Sequence, residues 1–483
     1  MDATAPPLNL SHAFFSGIAG TGMSALAQYL AFQGHAVSGS DRSLDKGGEA
    51  GKRTYFEAQG MRLFPQDGSG LEAGAPEGRP TCLVVSTAIE SQNPEVRKAQ
   101  ALGLPIVHRS DLLAELAARR KTLAVSGTSG KSTVTGMLYH VLAAGGLDPS
   151  LITGANLLSL QGEGLLGNAK AGRGEWLVME ADESDGSLVK YHPELSLILN
   201  VEKDHKEVAE LIPLFLRFRD QTARKVILNG ADAHCLAMQR PGDLLFHPDS
   251  VPEATAENLK FGDWETLFTM RGIDFRLAVP GRHNLANAMA AVAAGRELGV
   301  SFEDCARGLA RYQGVERRHV RIGEAGGVTV VDDFAHNPAK VKACLDTVKS
   351  AADGSARRIL AVFHPHGFAP MKLMGQELVE SILSALSPPD RIYMPEIYYA
   401  GGTADKSISS RDLIAKINAG KPMGHFLENK DEVIAALAAE ARPGDWVVTM
   451  GARDPSLDQF AHRVLAALQA RDSGDYSGVV SSR

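Results

Sequence analysis

Apolar and polar positions at the start of the chain follow the order strand, turn, helix, strand. An apolar run at 13–15 leads into Gly17, Gly20 and Gly22, a helical period covers 23–32, and a second strand over 35–40 ends at Asp41. This is a βαβ unit. Apolar segments at 82–85 and 105–107, each near a helical pattern (93–102 and 110–118), extend it into a parallel sheet that ends near residue 120. The pattern restarts with a strand at 122–125, a Gly/Ser/Thr loop and an apolar helix at 132–144. Strands at 175–179 and 195–199, a hairpin around 264–277 and helices at 284–297 and 302–311 complete a second domain. After Arg317 and Arg318 it restarts again, with strands at 328–331, 359–363, 391–394 and 446–450 and a helix at 338–349. The expectation is an α/β protein of three domains, 1–120, 121–316 and 317–470, followed by a flexible Ser/Gly/Asp-rich tail at 471–483.

Composition narrows the partners. The 483 residues, 44% hydrophobic, can fill more than one core, and a net charge of −7 offers no general attraction to nucleic acid or anionic membrane. No apolar run is long enough to span a bilayer and the first ten residues lack a secretory pattern, so membrane insertion is not expected and the cytoplasm is. The four cysteines are far apart and show neither CxxC nor Cys/His zinc spacing. A homo-oligomer is left open.

The strongest local motif is Gly127-Thr128-Ser129-Gly130-Lys131-Ser132-Thr133, set between a strand and a helix. A turn at a helix N-terminus holds polyphosphate, a lysine there neutralises the terminal phosphates, and the hydroxyl of Ser132 can ligate Mg²⁺. The spacing is a shortened Walker A, since Val125 stands where the strict motif has its first glycine. The earlier turn, with Gly17, Gly20 and Gly22, has the order G-x-x-G-x-G rather than the dinucleotide fingerprint. It is either a plain structural turn or a diphosphate site with Asp41 placed for a sugar hydroxyl. Acidic residues at 180–185 and the run Glu202-Lys203-Asp204-His205 follow apolar strands, where ligands of parallel sheets bind, and are candidates for Mg²⁺. Asp332-Asp333-Phe334-Ala335-His336-Asn337-Pro338 follows another strand, with Pro338 suited to a first helical turn. The pair His364 and His366 lacks a third ligand nearby and does not read as zinc.

Taken in order, these segments together with Gly281-Arg282-His283-Asn284, Asn287 and 314–318 resemble the Mur ligase family, over about residues 11–468. The likeness is greatest to the subtype that adds L-alanine to UDP-N-acetylmuramate, through Gly17–Ser24, Gly39-Ser40-Asp41, Ser86-Thr87-Ala88-Ile89 and His108-Arg109. The resemblance implies a Rossmann-like UDP-sugar domain, a central P-loop ATPase domain and a Rossmann-like C-terminal domain that brings the amine. It implies ATP and Mg²⁺ as cofactors, UDP-N-acetylmuramate or a related UDP-sugar as acceptor, and an amino acid or short peptide as amine.

By position, the resemblance assigns Gly127, Thr128, Ser129, Gly130, Lys131, Ser132 and Thr133 to ATP, with Asn284, Asn287, Arg318 and Asp333. It assigns Lys131, His205, His283 and Arg318 to catalysis, and Ser132, Glu180 and His205 to the metal. The UDP-sugar falls to Gly17, Gly20, Gly22, Met23, Ser24, Asp41, Ser86, Thr87, Ala88 and Arg109, and the amine to His336, His366 and Arg453. Four positions depart from the family pattern. Ser129 stands where His is common, Asn337 where a second His is usual, Gly367 where alanine-adding relatives carry Arg, and Arg453 where Gly is common. Arg453 is thus a candidate for the missing charge, and residues 371–375 resemble the murein tripeptide ligases instead. Other classes compatible with parts of the sequence are an NAD-dependent oxidoreductase, which leaves the second phosphate loop unused, and a catalytically silent UDP-sugar-binding protein.

Overall fold

The structure is a computed structural model, described here for residues 8–72, 78–202, 207–349, 357–399, 405–452, 454 and 456–473. The chain forms two compact units. The first extends to Val315 except for Lys260–Glu265 and Val279–Gly281, which group with the second, from Glu316 onward.

The first unit carries two parallel sheets. One has the strand order Arg62–Leu63, Ala36–Ser40, His12–Ser16, Cys82–Val85, Ile106–His108. The chain departs from His12–Ser16 in one direction and returns on its other side at Cys82–Val85, so the crevice at their carboxyl ends receives the Gly17 turn. The second sheet has seven strands, centred on Lys121–Ser126 between Leu195–Ile198 and Trp176–Glu180. Its last strand, Ala169–Lys170, runs antiparallel and closes one edge.

Helix Thr21–Phe32 is buried at every position from Met23 to Leu30. A helix buried on every side is enclosed rather than laid on a surface, and all of these positions but Ser24 and Gln28 are apolar. One continuous core, running from Leu10 and Phe15 through Leu26 to Leu177 and Phe215, joins the two sheets through it. A polar joint sits inside the same contact. Asn168 Nδ2 donates to the Thr21 carbonyl and to Ser24 Oγ, both at 2.8 Å, and its Oδ1 accepts from Gln28 Nε2 at 2.7 Å. All of these side chains are buried.

The second unit is a six-stranded sheet in the order Val320–Ala325, Val328–Asp333, Trp446–Gly451, Ile359–His364, Arg391–Met394, Gly424–Phe426. Only the first pairing is antiparallel. Alternate residues serve opposite faces: Val331, Phe363 and Met450 belong to one core, Val330, Val362 and Val447 to the other.

The expected hairpin is shorter than its pattern, Thr266–Met270 with Ile273–Leu277. Trp264 leaves it and stacks on Trp446, ring centroids 5.0 Å apart, within the second unit. Burial of two large aromatic faces outweighs continuation of the strand. The four cysteines are all buried and unpaired. Among the described residues no helix is long and apolar enough to cross a membrane.

Candidate functional site

The phosphate-loop motif joins strand Lys121–Ser126 to helix Lys131–Ala144. Two of its glycines are required by space and by backbone. Gly127 has φ +141°, and a Cβ on it would lie 3.0 Å from Leu199 Cβ; Gly130 has φ +84°, and its Cβ would lie 2.7 Å from Asn287 Oδ1. Asn287, on helix Arg282–Glu297, therefore reaches the loop. Asn200 clamps the loop from the other side, its Oδ1 accepting from Thr128 Oγ1 and Ser129 N at 2.8 Å each, its Nδ2 donating to Ser129 O at 3.1 Å. Asn284 is buried and accepts from Asn287 Nδ2 at 3.3 Å, whereas His283 is exposed in the first turn of the helix.

Lys131 folds back onto its own loop. Its Nζ donates to the Gly127 carbonyl and to Glu183 Oε2, each at 2.8 Å, with Asp182 Oδ1 at 3.7 Å. Burial pulls the lysine toward neutrality, but Glu183, Asp182 and Glu180 outweigh it and hold the ammonium charged. Burial also pushes the Glu183 carboxyl up, against the pull of Lys131. Asp182 ends below the usual carboxylate range, because Lys131 and the Ser184 donors overcome its burial. Ser132 Oγ donates to Glu180 Oε2 at 2.8 Å, and that oxygen also accepts from Thr153 Oγ1 at 3.0 Å and Gly154 N at 2.9 Å.

Glu180 and Asp182 open onto a cleft that is also lined by Gly22, Ala25, Leu26, Arg109 and Leu113. Gly22 of the N-terminal turn lines this cavity, and the phosphate loop adjoins it through Ser132 on Glu180 and Lys131 beside Asp182. Gly17 and Ile18 donate to the Ser40 carbonyl at 2.8 and 2.9 Å, and Asp41 fixes the turn, Oδ2 accepting from Ala19 N at 3.1 Å and Oδ1 from Ser43 N at 2.8 Å. Both Asp41 oxygens are engaged locally. Gly20, Thr87 and Ala88 are exposed, Ser86 is partly so, and Met23 and Ser24 are buried in the helix contact. Thr153 and Tyr191, which line the cleft, carry no motif. Thr153 follows strand Ser150–Ile152, and the carboxyl-end rule for parallel strands is the signal that finds it.

In the second unit, strand ends bring together the remaining candidates that are described. His336 and His366 have ring centroids 5.6 Å apart, and His336 Nδ1 lies 2.9 Å from the Phe334 carbonyl oxygen. Arg318 lies over the Phe334 ring at 5.2 Å. Asp333 accepts from His319 N at 2.8 Å and Ala335 N at 2.7 Å. His205 and Arg453 lie outside the described residues. Among the described residues, no group of three or more His, Cys, Asp or Glu converges as a metal site.

Burial lifts the Asp333 carboxyl to about 6, against the opposing pull of Arg318 and the two backbone donors. A carboxyl held above its unfolded value binds its proton more tightly when folded. Its contribution to stability is therefore complete below the ordinary carboxylate range and is lost as pH rises through about 6. The expected result is a denaturation midpoint that declines between roughly pH 4 and pH 7, with a shallower decline in Asp333→Asn. An identical slope in the variant would contradict the assignment.

Three family models match in sequence order. The catalytic domain of the Mur ligase family covers residues 12–121, the Mur ligase middle domain 125–295, and the Mur ligase glutamate ligase domain 317–453. The UDP-N-acetylmuramate–L-alanine ligase of Pelotomaculum thermopropionicum is 37% identical, over 92% of this chain and 95% of that protein. The protein of the same name from Streptomyces avermitilis is 37% identical, over 96% and 98%. Among solved structures, the UDP-N-acetylmuramate-alanine ligase of Thermotoga maritima superposes with a TM-score of 0.76 at 24% identity, covering 95% of this chain and 99% of that one. The murein peptide ligase of Psychrobacter arcticus gives 0.66 at 23%, covering 95% and 98%. At those identities the two structures speak to the fold.

Proposed function

The chain belongs to the Mur ligase family, and from that premise we propose that it is an ATP-dependent ligase joining L-alanine to the carboxylate of UDP-N-acetylmuramate, a step in peptidoglycan precursor synthesis. The observation that carries the reading is the cleft itself. A charged lysine on a phosphate loop stands behind Glu180 and Asp182, across from the glycine turn of the first sheet. We divide the labour accordingly: 1–120 binds the UDP-sugar, 121–316 binds ATP, and 317–470 receives the amine. ATP and UDP-sugars are cytoplasmic metabolites, so the enzyme acts there.

The chemistry follows from charge. A carboxylate is a poor acyl donor, so its oxygen first attacks the γ-phosphorus of ATP and ADP leaves. Lys131 leaves Glu183 for the terminal phosphates and offsets the negative charge that builds on the transferring group. The neutral amine then adds to the acyl phosphate carbon, phosphate departs from the tetrahedral species with its bonding electron pair, and the nitrogen gives up its extra proton to the departing phosphate. Enclosure by Leu26, Leu113 and Ile152 limits water, which would otherwise hydrolyse the acyl phosphate. Family membership extends the assignment to Asn284, Asn287, Arg318 and Asp333 for ATP, and to His336 and His366 for the amine.

The donors present suit Mg²⁺. Ser132 and Glu180 offer two hard oxygens 2.8 Å apart beside the phosphate loop, and Mg²⁺ is characteristically held by one or two protein oxygens plus substrate phosphates. His205 joins them by family position. When bound, the ion would supply positive charge to the phosphate oxygens.

The test is ADP release with UDP-N-acetylmuramate and a panel of amino acids and muropeptides, with product masses read out. L-alanine is expected to give the fastest turnover. Exclusive use of a peptide would make the chain a recycling ligase, and tight sugar-nucleotide binding without any ADP release would make it a silent binding protein.

A further inference from the structure

Arg109 begins helix Arg109–Ala118 and is the single cation among the described residues lining the cleft, where Glu180 and Asp182 are the anions. Its Nη2 donates to Asp185 Oδ2 at 2.8 Å. A Cβ on Gly22 would come within 3.3 Å of its Nη1, so the absent side chain at Gly22 is what gives the guanidinium room against the N-terminal turn. The segment that holds Arg109 also holds Lys131. Asp185 takes the arginine while Glu183, at 2.8 Å, and Asp182, at 3.7 Å, take the lysine. One acidic turn of four residues, 182–185, thereby fixes both the arginine of the cleft and the lysine of the phosphate loop behind it.

An anionic group entering this space meets two carboxylates, and like charges at short range repel. It needs a compensating cation on the side of the sugar. Lys131 is committed to the nucleotide by its place on the phosphate loop. Arg109 has a planar fork of five N–H donors, of which one goes to Asp185, and that fork matches a carboxylate.

We propose that Arg109 grips the carboxylate of the UDP-sugar and that Asp185 holds the guanidinium in place until that carboxylate arrives. Arg109 is then a specificity residue, separating acid-bearing UDP-sugars from neutral ones, and the acidic turn sets the separation between the two reacting anions. The inference rests on the proposed function, because it takes an acid-bearing UDP-sugar as the ligand.

The experiment is titration calorimetry on the full chain with UDP-N-acetylmuramate and with UDP-N-acetylglucosamine, the same nucleotide sugar without the acid. Arg109→Ala is expected to weaken the acid-bearing ligand by about 10- to 100-fold, the worth of a hydrogen bond to a charged group, and to leave the neutral one unchanged. Arg109→Lys should fall between wild type and Arg109→Ala. Asp185→Asn, which frees the guanidinium, should bind the acid-bearing ligand at least as well as wild type.

Equal weakening of both ligands in Arg109→Ala, by misfolding or by loss of a diphosphate contact, would overturn the proposal if Arg109→Lys also failed to discriminate. So would no change in either. A loss in Asp185→Asn as large as in Arg109→Ala would show that the ion pair matters rather than the grip, and would overturn it too. Failure of the wild-type chain to bind either sugar nucleotide would defeat the proposed function itself and this role with it.

Discussion

Replacement of Lys131 by alanine should reduce the rate of ADP release by about a thousand-fold, the scale expected when a preorganised charge on a transferring phosphoryl group is removed. The loss has two sources. The first is the missing cation. The second is what it leaves behind, since Glu183 is almost wholly buried and has Lys131 as its counter-charge, with Asp182 adjoining. In the variant both carboxylates face the incoming triphosphate, so the KM for ATP should rise together with the fall in kcat. Lys131→Arg should not restore the wild-type rate, because the side chain is only 13% exposed and fits between the Gly127 carbonyl and Glu183. Steady-state ADP release with UDP-N-acetylmuramate and L-alanine measures all of this, and turnover within about ten-fold of wild type would remove the phosphate loop from the mechanism.

The second large effect concerns stability rather than chemistry. Asn168→Ala should lower the unfolding free energy by about 2–4 kcal/mol, because it strips three hydrogen bonds, two of them between buried side chains. Gln28 Nε2 keeps its bond to the Ser24 carbonyl at 2.9 Å, so the loss is not total at that group. The Thr21 carbonyl and Ser24 Oγ lose the Asn168 donor. Chemical denaturation monitored by circular dichroism should show a lower midpoint, and a change below about 1 kcal/mol would mean the joint is dispensable.

Elements with explicit end signals could be read from the chain. Helices Phe302–Arg311 and Pro338–Lys349 start where the pattern places them. Ser301 accepts from Asp304 N in the first, and Pro338 stands at the start of the second. Helix Val208–Asp220 escaped the reading because Pro213 interrupts its interior, although Glu207 and Glu210 form a capping box at its start. The very short strands, Arg62–Leu63 and Ala169–Lys170, are too brief to show a period.

The phosphate loop was readable because a contiguous motif carries it. The joint at Asn168 and the approach of Arg109 to Asp185 were not. Each pairs residues more than 70 positions apart, and nothing local distinguishes a buried asparagine from a loop asparagine. Trp264 likewise offered a strand pattern that a distant indole overrode.

The concealed cysteines have a practical corollary. Burial pushes the thiols of Cys82 and Cys305 up to about 11 and about 12, and those of Cys235 and Cys344 upward as well. At neutral pH almost no thiolate exists to meet an alkylating reagent or an oxidant. The native chain is therefore a silent background for labelling: a single cysteine introduced at exposed Thr87 would carry a fluorophore alone, within the proposed sugar site, without any native thiol having to be removed first.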